Sequence, residues 1–91
     1  MNIKAHQLRT METFNPSDVA HLNGPHLELT PTMREAIKRQ WSALGEPDSI
    51  NLSNGQLNVY FNWGTYTAER WVNLTHIPDD WKPLMGKRFK V

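Results

Sequence analysis

Few side chains of this 91-residue chain are suited to catalysis or to holding a metal. The histidines are His6, His21, His26 and His76. No two of them have the spacing of a His-Glu-x-x-His zinc site, and the chain has no cysteine to join them. Asp79 and Asp80 are adjacent and point apart in any regular element, so they suit a turn or a helix cap better than an acid–base pair. Because the glycines form no phosphate-binding loop either, we expect no metal, no cofactor and no enzymatic activity.

Basic side chains gather in two short stretches, and their chemistry suits contact with phosphate. The members are Arg34, Lys38 and Arg39 in the first stretch, and Lys82, Lys87, Arg88 and Lys90 in the second. The net charge is only +1, which neither requires nor excludes a nucleic-acid partner. Ordinary solvated charge is the alternative explanation of both stretches. If the fold brings them together, they form one phosphate-binding surface.

The four tryptophans are a second kind of binding candidate, because exposed rings stack on bases or anchor partners whereas buried rings fill the core. Trp41 and Trp63 have positions that the patterns below assign to the core, with Trp41 between a helix and a sheet. Trp71 and Trp81 are undecided, although packing in the core or at a sheet edge is the favoured interpretation.

The best-marked element is a helix that must bury an apolar stripe. It begins either at a capping box of Thr32 and Glu35 or at Thr30 followed by Pro31, and Gly45 supplies its stop. The stripe consists of Met33, Ile37, Trp41 and Leu44, flanked by Ala36 and Gln40. Its spacing of three and four residues is that of one helical face.

After the helix the period of the pattern changes to two residues, which predicts strands. The clearest strand covers residues 57–63, and the Asn-Gly pair at 54–55 predicts a type I′ hairpin that pairs residues 49–53 with it. The expected inward side chains are Ile50, Leu52, Leu57, Val59, Phe61 and Trp63. Residues 65–74 predict a third strand, although the pattern does not decide which of its side chains face the core. Residues 87–91 predict an edge strand.

The remaining segments complete one small α+β domain. Residues 19–22 are either the end of a short helix or a short strand, and residues 79–85 suit one helical turn. We predict an arm at 1–18 and a domain at 19–91, with one main helix packed on a three- to four-stranded, mostly antiparallel sheet. There is no signal peptide, no apolar run that could span a membrane and no cysteine, so we expect a cytoplasmic protein without a membrane partner.

Residues 19–44 resemble the opening of the ribosome hibernation-promoting factors and ribosome-associated inhibitors. The similarity lies in VAHLNG at 19–24, HLELTP at 26–31, MREAI at 33–37 and the closing Leu44. The resemblance implies the order strand, helix, three strands, helix, similar to double-stranded-RNA-binding domains. It also implies a protein that binds the RNA of the small ribosomal subunit and obstructs translation. The chain departs from the family in an N-terminal extension of about eighteen residues, a shorter link after the helix, weaker basic character and the lack of most of the last helix.

Two functional hypotheses follow. The first is a ribosome-binding or RNA-binding module with no catalytic role, whose affinity comes from phosphate contacts. Its residues are Arg34, Lys38 and Arg39, transferred from the basic helix of the family, together with Lys87, Arg88 and Lys90. The second is a small protein-binding inhibitor or adaptor of the kind that phages and other mobile elements encode, with an unidentified protein as partner. Its anchors are Tyr66, Trp71 and Trp81, on the premise that they are exposed. The sequence leaves the oligomeric state open.

Overall fold

The computed structural model describes residues 13–91. In chain order its elements are helix α1 (Pro16–Val19), strands β1 (Ala20–Asn23) and β2 (His26–Leu29), helix α2 (Pro31–Gln40), a first 3₁₀ helix (Ser42–Leu44), strands β3 (Ser49–Ser53), β4 (Gln56–Asn62) and β5 (Thr67–Asn73), a second 3₁₀ helix (Asp79–Leu84) and strand β6 (Arg88–Lys90). The predicted fold class is confirmed, because the main helix α2 packs against antiparallel sheets. Residues 1–12, which include His6 and most of the predicted arm, lie outside the described residues.

Helix α2 begins at Thr30, which caps it. The Thr30 Oγ1 accepts a hydrogen bond of 3.1 Å from the backbone N–H of Met33, and Pro31 takes the first helical position. The alternative start, a capping box of Thr32 and Glu35, is therefore wrong. The same hydroxyl donates to the carbonyl of Asp18 at 2.8 Å, so the cap also joins α2 to the end of α1.

The helix ends earlier than its apolar stripe predicts. Helix α2 stops at Gln40, and Trp41 has a non-helical backbone with φ −121° and ψ 52°. This change of direction places the Trp41 ring edge-on against Phe61, with 6.1 Å between the ring centroids. Trp41 and Leu44 are therefore only partly buried at the margin of the core. The expectation that Trp41 is buried between helix and sheet is correct only in part, because its ring packs against the core but is only partly buried.

The main sheet has the strand order β5-β4-β3-β6, and every pair in it is antiparallel. The β3–β4 hairpin turns at Asn54 and Gly55, whose φ angles are 48° and 78°, as the predicted type I′ turn requires. Strand β6 pairs with β3, which confirms the predicted C-terminal edge strand. The fully buried apolar side chains of this sheet are Ile50, Leu52, Leu57, Val59, Phe61 and Val72, and they define its inner face.

Helix α2 and the β1–β2 hairpin supply the other half of the core. Their buried apolar side chains include Leu27, Leu29, Met33, Ala36 and Ile37. The segment before α2 is indeed a strand, but it pairs with β1 in a two-stranded sheet of its own and not with the main sheet. The two interpretations of residues 19–22 are each partly correct, since α1 ends at Val19 and β1 begins at Ala20.

Trp81 is buried, whereas Trp63 and Trp71 are exposed. Trp81, in the second 3₁₀ helix, is 4% exposed and belongs to the core, so the expectation of an exposed anchor there is wrong. Trp63 is 42% exposed, so the expectation that it faces the core is also wrong. It lies beyond the end of β4, where its indole Nε1–H donates to the carbonyl of Leu44 at 2.9 Å. Trp71 is 51% exposed because Val72 and Leu74 take the inward positions of this segment.

Part of the segment assigned to the arm contacts the domain. The N–H of Phe14 donates to the carbonyl of Asn73 at 2.9 Å, and the N–H of Thr75 donates to the carbonyl of Phe14 at 3.0 Å. Together they form a parallel bridge between Phe14 and Leu74 at the end of β5. Within residues 13–91, none of the helices has the length and apolar character that a membrane span needs.

We predict that Gly55→Val destabilises the domain by about 1–2 kcal/mol, because a side chain at φ 78° is sterically disfavoured. A Cβ at this position would meet no atom within 4 Å, so the cost arises in the backbone and not in a clash. Urea unfolding monitored by circular dichroism measures it, with Gln56→Ala as the neighbouring control. Equal stability of the two variants would contradict the left-handed turn.

A second prediction separates a core tryptophan from a surface tryptophan. Trp81→Ala should cost about 3–5 kcal/mol of unfolding free energy, because it empties a large site in the core. Trp71→Ala should change stability by no more than about 0.5 kcal/mol, as exposed positions usually do. Urea unfolding of both variants tests the difference, and a Trp71 variant as unstable as the Trp81 variant would refute the assignment.

Candidate functional site

The side chains that alternate with the core residues of the main sheet form its second face, which we call the outer face. They are Ser49, Asn51, Ser53, Gln56, Asn58, Tyr60, Asn62, Thr67, Glu69, Trp71, Asn73, Arg88 and Lys90. On β5 and β6 these side chains are exposed, whereas those on β3 and β4 are buried or half-buried except for Asn62, which is exposed at the end of β4. The outer face is therefore polar and open to solvent along both edges of the sheet.

The register of the strands arranges the outer face in rows. One row runs through Arg88 on β6, Asn51 on β3, Asn58 on β4 and Trp71 on β5. The next row runs through Lys90, Ser49, Tyr60 and Glu69 in the same strand order. Both rows thus have a cation at the β6 edge and neutral side chains in the middle. Glu69 is the one acidic residue among the side chains of this face.

A chain of side-chain hydrogen bonds fixes the middle of the outer face. The Oδ1 of Asn51 accepts from the Nδ2 of Asn58 at 2.9 Å and from the hydroxyl of Tyr60 at 3.3 Å. The Nε2 of Gln56 donates to the Oδ1 of Asn58 at 2.9 Å. Asn58 is only 5% exposed, so these bonds satisfy an amide that would otherwise be buried without partners.

Arg88 lies on the ring that this network holds. Its Cζ is 3.8 Å from the centroid of the Tyr60 ring, within the range of a cation–π contact. Neither Arg88 nor Lys90 forms an ion pair with another residue in the range 13–91. The outer face therefore combines two cations, which pair with no carboxylate of residues 13–91, with an aromatic ring whose hydroxyl donates a hydrogen bond to Asn51.

The basic side chains of α2 have different surroundings. The Nζ of Lys38 lies 3.1 Å from a carboxylate oxygen of Glu46 and 3.8 Å from one of Glu35. The hydrogen bond to Glu46 raises the pKa of Lys38, so the ammonium stays protonated while two carboxylates offset its charge. Arg34 and Arg39 form no ion pair with the described part of the chain.

Arg39 borders an open groove of about 800 Å³ between α1, β1 and α2. Residues that line it are Phe14, Ser17, Asp18, His21, Thr30, Pro31, Thr32, Met33, Glu35, Ala36 and Arg39. Because Asp18 and Glu35 share this lining with Arg39, the groove is of mixed charge and does not favour an anion.

The two basic stretches do not form one surface. Helix α2 turns its apolar side chains toward the inner face of the sheet, whereas Arg88 and Lys90 belong to the outer face. The sheet therefore separates them, and the expectation of a joint phosphate-binding surface is wrong. Lys87 precedes β6 and is exposed next to Arg88.

The three anchors of the protein-binding hypothesis do not gather either. Trp81 is in the core, and Trp71 is on the outer face. Tyr66 lies immediately before β5, where its ring packs edge-on against Trp63 with centroids 5.5 Å apart. Both rings of that pair are exposed.

Sequence reasoning found the cations of the outer face but missed Tyr60 and the amide side chains around it. The alternation in β4 already predicts that Gln56, Asn58 and Tyr60 point away from the core. An aromatic residue within a row of amides is unusual for a purely solvated face, and this was the available signal.

Comparison with known protein families, with curated proteins and with solved structures finds no match to this chain. Within residues 13–91, no three histidine, aspartate or glutamate side chains lie close enough to hold a metal ion. The geometry of the outer face and the resemblance described above are therefore the features that bear on function.

We predict that Asn51 and Asn58 are energetically coupled. Asn51→Ala removes the acceptor of two hydrogen bonds and leaves the buried Asn58 amide partly unpaired, which costs about 1–3 kcal/mol. The double variant with Asn58→Ala should cost less than the sum of the single changes by about 0.5 kcal/mol or more. Urea unfolding measures the cycle, with exposed Asn73→Ala as the matched control. If the losses of unfolding free energy of the two single variants were additive, the hydrogen bonds between Asn51 and Asn58 would not fix the side chains of the outer face.

Proposed function

We propose that this chain is an RNA-binding module without catalytic activity, and that it binds RNA with the outer face of its sheet. The observation that supports the proposal is Arg88 stacked on Tyr60, with Lys90 in the adjacent row. Cations that form no ion pair within residues 13–91 provide phosphate contacts, and aromatic rings provide surfaces on which bases stack. The outer face has both kinds of group and a single acidic residue, Glu69, to oppose them.

The chemistry of the outer face suits binding and not a reaction. It contains no histidine, and Glu69 is its only carboxylate, so it lacks the paired acid and base that hydrolysis of RNA would use. The helix surface that the family resemblance implies is the weaker candidate, because two carboxylates already hold Lys38. The resemblance and the chemistry of the outer face both support the proposal of an RNA partner, but they favour different surfaces of the domain.

The resemblance supports the small ribosomal subunit as the partner. A domain that occupies an RNA channel of that subunit obstructs translation by exclusion alone, and this role requires a cytoplasmic protein. Sedimentation tests the partner directly. The tagged protein should travel with the small subunit on a sucrose gradient at low salt and leave it at high salt, because phosphate contacts weaken as counterions are added. Free migration at both salt concentrations would exclude the ribosome.

The surface itself is tested with charge reversals. Arg88→Glu combined with Lys90→Glu should weaken binding of a mixed-sequence RNA by more than about ten-fold at low salt, because two phosphate contacts become repulsive. The matched control is Arg34→Glu with Lys38→Glu, which changes the charge equally and should leave affinity close to that of the parent. Fluorescence anisotropy measures both, and urea unfolding checks that both remain folded.

The alanine versions of the same pairs give a second readout. Arg88→Ala with Lys90→Ala should reduce the slope of log affinity against log salt by about 1.4, from ~0.7 for each contact with a single strand. If the pair on α2 reduces this slope and the β6 pair does not, RNA binds the helix as the resemblance implies. The outer face would then be rejected as the site.

One observation favours a second candidate, a protein-binding inhibitor or adaptor. Trp63 and Tyr66 form an exposed edge-on pair beside the turn between β4 and β5, away from the outer face. Aromatic side chains are favoured at the centres of protein interfaces. This candidate predicts that Tyr66→Ala disrupts a protein complex, whereas Arg88→Glu leaves it intact.

A further inference from the structure

The two aromatic positions of the outer face lie on a diagonal. Tyr60 on β4 is directly opposite Glu69 on β5, and Trp71 is two residues further along β5. Diagonal neighbours of this kind have a separation of roughly 7–8 Å between antiparallel strands. Bases that remain stacked on one another are only about 3.4 Å apart along a strand. Two neighbouring bases seated at both positions must therefore be unstacked from each other.

We infer that the outer face binds single-stranded RNA, with one base against the Arg88–Tyr60 stack and a neighbouring base against Trp71. The inference deepens the proposed function and rests on it. Trp71 has half of its surface exposed, and its ring belongs to the same row as Arg88. A base has a flat face whatever its identity, so such positions accept many sequences.

An RNA duplex does not fit the same face. Its bases are stacked within the helix, and its deep, narrow major groove keeps their edges from protein side chains. Proteins recognise duplex RNA through phosphates and 2′-hydroxyls across the shallow groove, which uses cations and no aromatic ring. Trp71 would then contribute nothing, although it is the largest exposed side chain of the outer face.

The distribution of charge determines which part of a bound RNA strand lies over each edge of the sheet. Arg88 and Lys90 lie at the β6 edge, and Glu69 lies at the β5 edge beside Trp71. A strand that crosses the face finds cations for its phosphates over β6, while the carboxylate over β5 repels phosphate from that side. Near β5 the strand must therefore present a base, and Trp71 is the ring that receives it.

Asn51 adds a polar contact between the two positions. Its Oδ1 already accepts two hydrogen bonds, whereas its Nδ2 donates to no residue of the described chain. Because the network fixes the side chain, these N–H groups point from a defined position on the face. A carbonyl oxygen of a base or a 2′-hydroxyl supplies the acceptor that they lack.

Three RNA probes of equal length test the inference at low salt by fluorescence anisotropy. They are oligouridine, a duplex, and an abasic oligomer that keeps the phosphates but has no bases. The parent protein should bind oligouridine more tightly than either of the others. Trp71→Ala should lose roughly 5- to 150-fold for oligouridine, the range expected for one stacked base, and should bind the abasic oligomer as the parent does. Trp71→Phe, which keeps a flat ring, should recover most of the loss.

Tyr66→Ala is the matched control, because Tyr66 is a similarly exposed ring that lies off the outer face. Its affinities should equal those of the parent for all three probes. If the parent binds the duplex or the abasic oligomer as tightly as oligouridine, or if Trp71→Ala binds oligouridine unchanged, the single-strand inference is overturned and RNA binding through phosphates remains. If the parent binds none of the probes, the proposed function fails and this inference fails with it.

Discussion

The outer face depends on one constraint, which is that the buried amide of Asn58 must keep its hydrogen bonds. An amide buried without partners costs about 1–3 kcal/mol, a large share of the stability of a small domain. The Oδ1 of Asn58 accepts a hydrogen bond from Gln56, and its Nδ2 donates one to the Oδ1 of Asn51. The same Asn51 oxygen accepts a hydrogen bond from the hydroxyl of Tyr60. The ring of Tyr60 then lies beneath Arg88. The buried amide of Asn58 thus helps to position an aromatic ring and a cation on the outer face.

The same constraint joins the outer face to the core through the register of the β3–β4 hairpin. Side chains alternate along a strand, so a slip of one residue would place Asn58 in the core and Leu57 in solvent. The left-handed turn at Asn54 and Gly55 sets the pairing that prevents this. The stability of the core and the geometry of the outer face therefore have a common origin in a two-residue turn.

Elements with local signals could be predicted from the sequence. Pro31 after Thr30 marks the helix start, and the Asn-Gly pair at residues 54–55 marks the hairpin, because both depend on backbone preferences of neighbouring residues. The ends of elements could not be predicted where distant contacts decide them. Trp41 leaves the helix to meet Phe61, and Trp63 finds a hydrogen-bond acceptor at Leu44. Burial of Trp81 likewise depends on where the chain after β5 returns to the core.

The candidate site was predictable only in part for a similar reason. Arg88 and Lys90 stand out by charge, but their separation from the cations of α2 follows from the packing of the helix on the opposite face. Periodicity shows that Tyr60 faces away from the core, yet it does not show that Arg88 comes to lie on its ring. The partner of Lys38, Glu46, lies beyond the end of the helix, where no fixed spacing applies.

The bridge between Phe14 and Leu74 has a consequence for colloidal behaviour. Strand β5 is an edge of the sheet, and unpaired backbone groups at an edge are a template on which another polypeptide can add. The bridge occupies one end of that template with a segment of the same chain. Half-buried Arg70 and exposed Glu69 place charge along the rest of it. Unwanted fibril growth is thereby opposed at the edge, and the face beside it stays accessible.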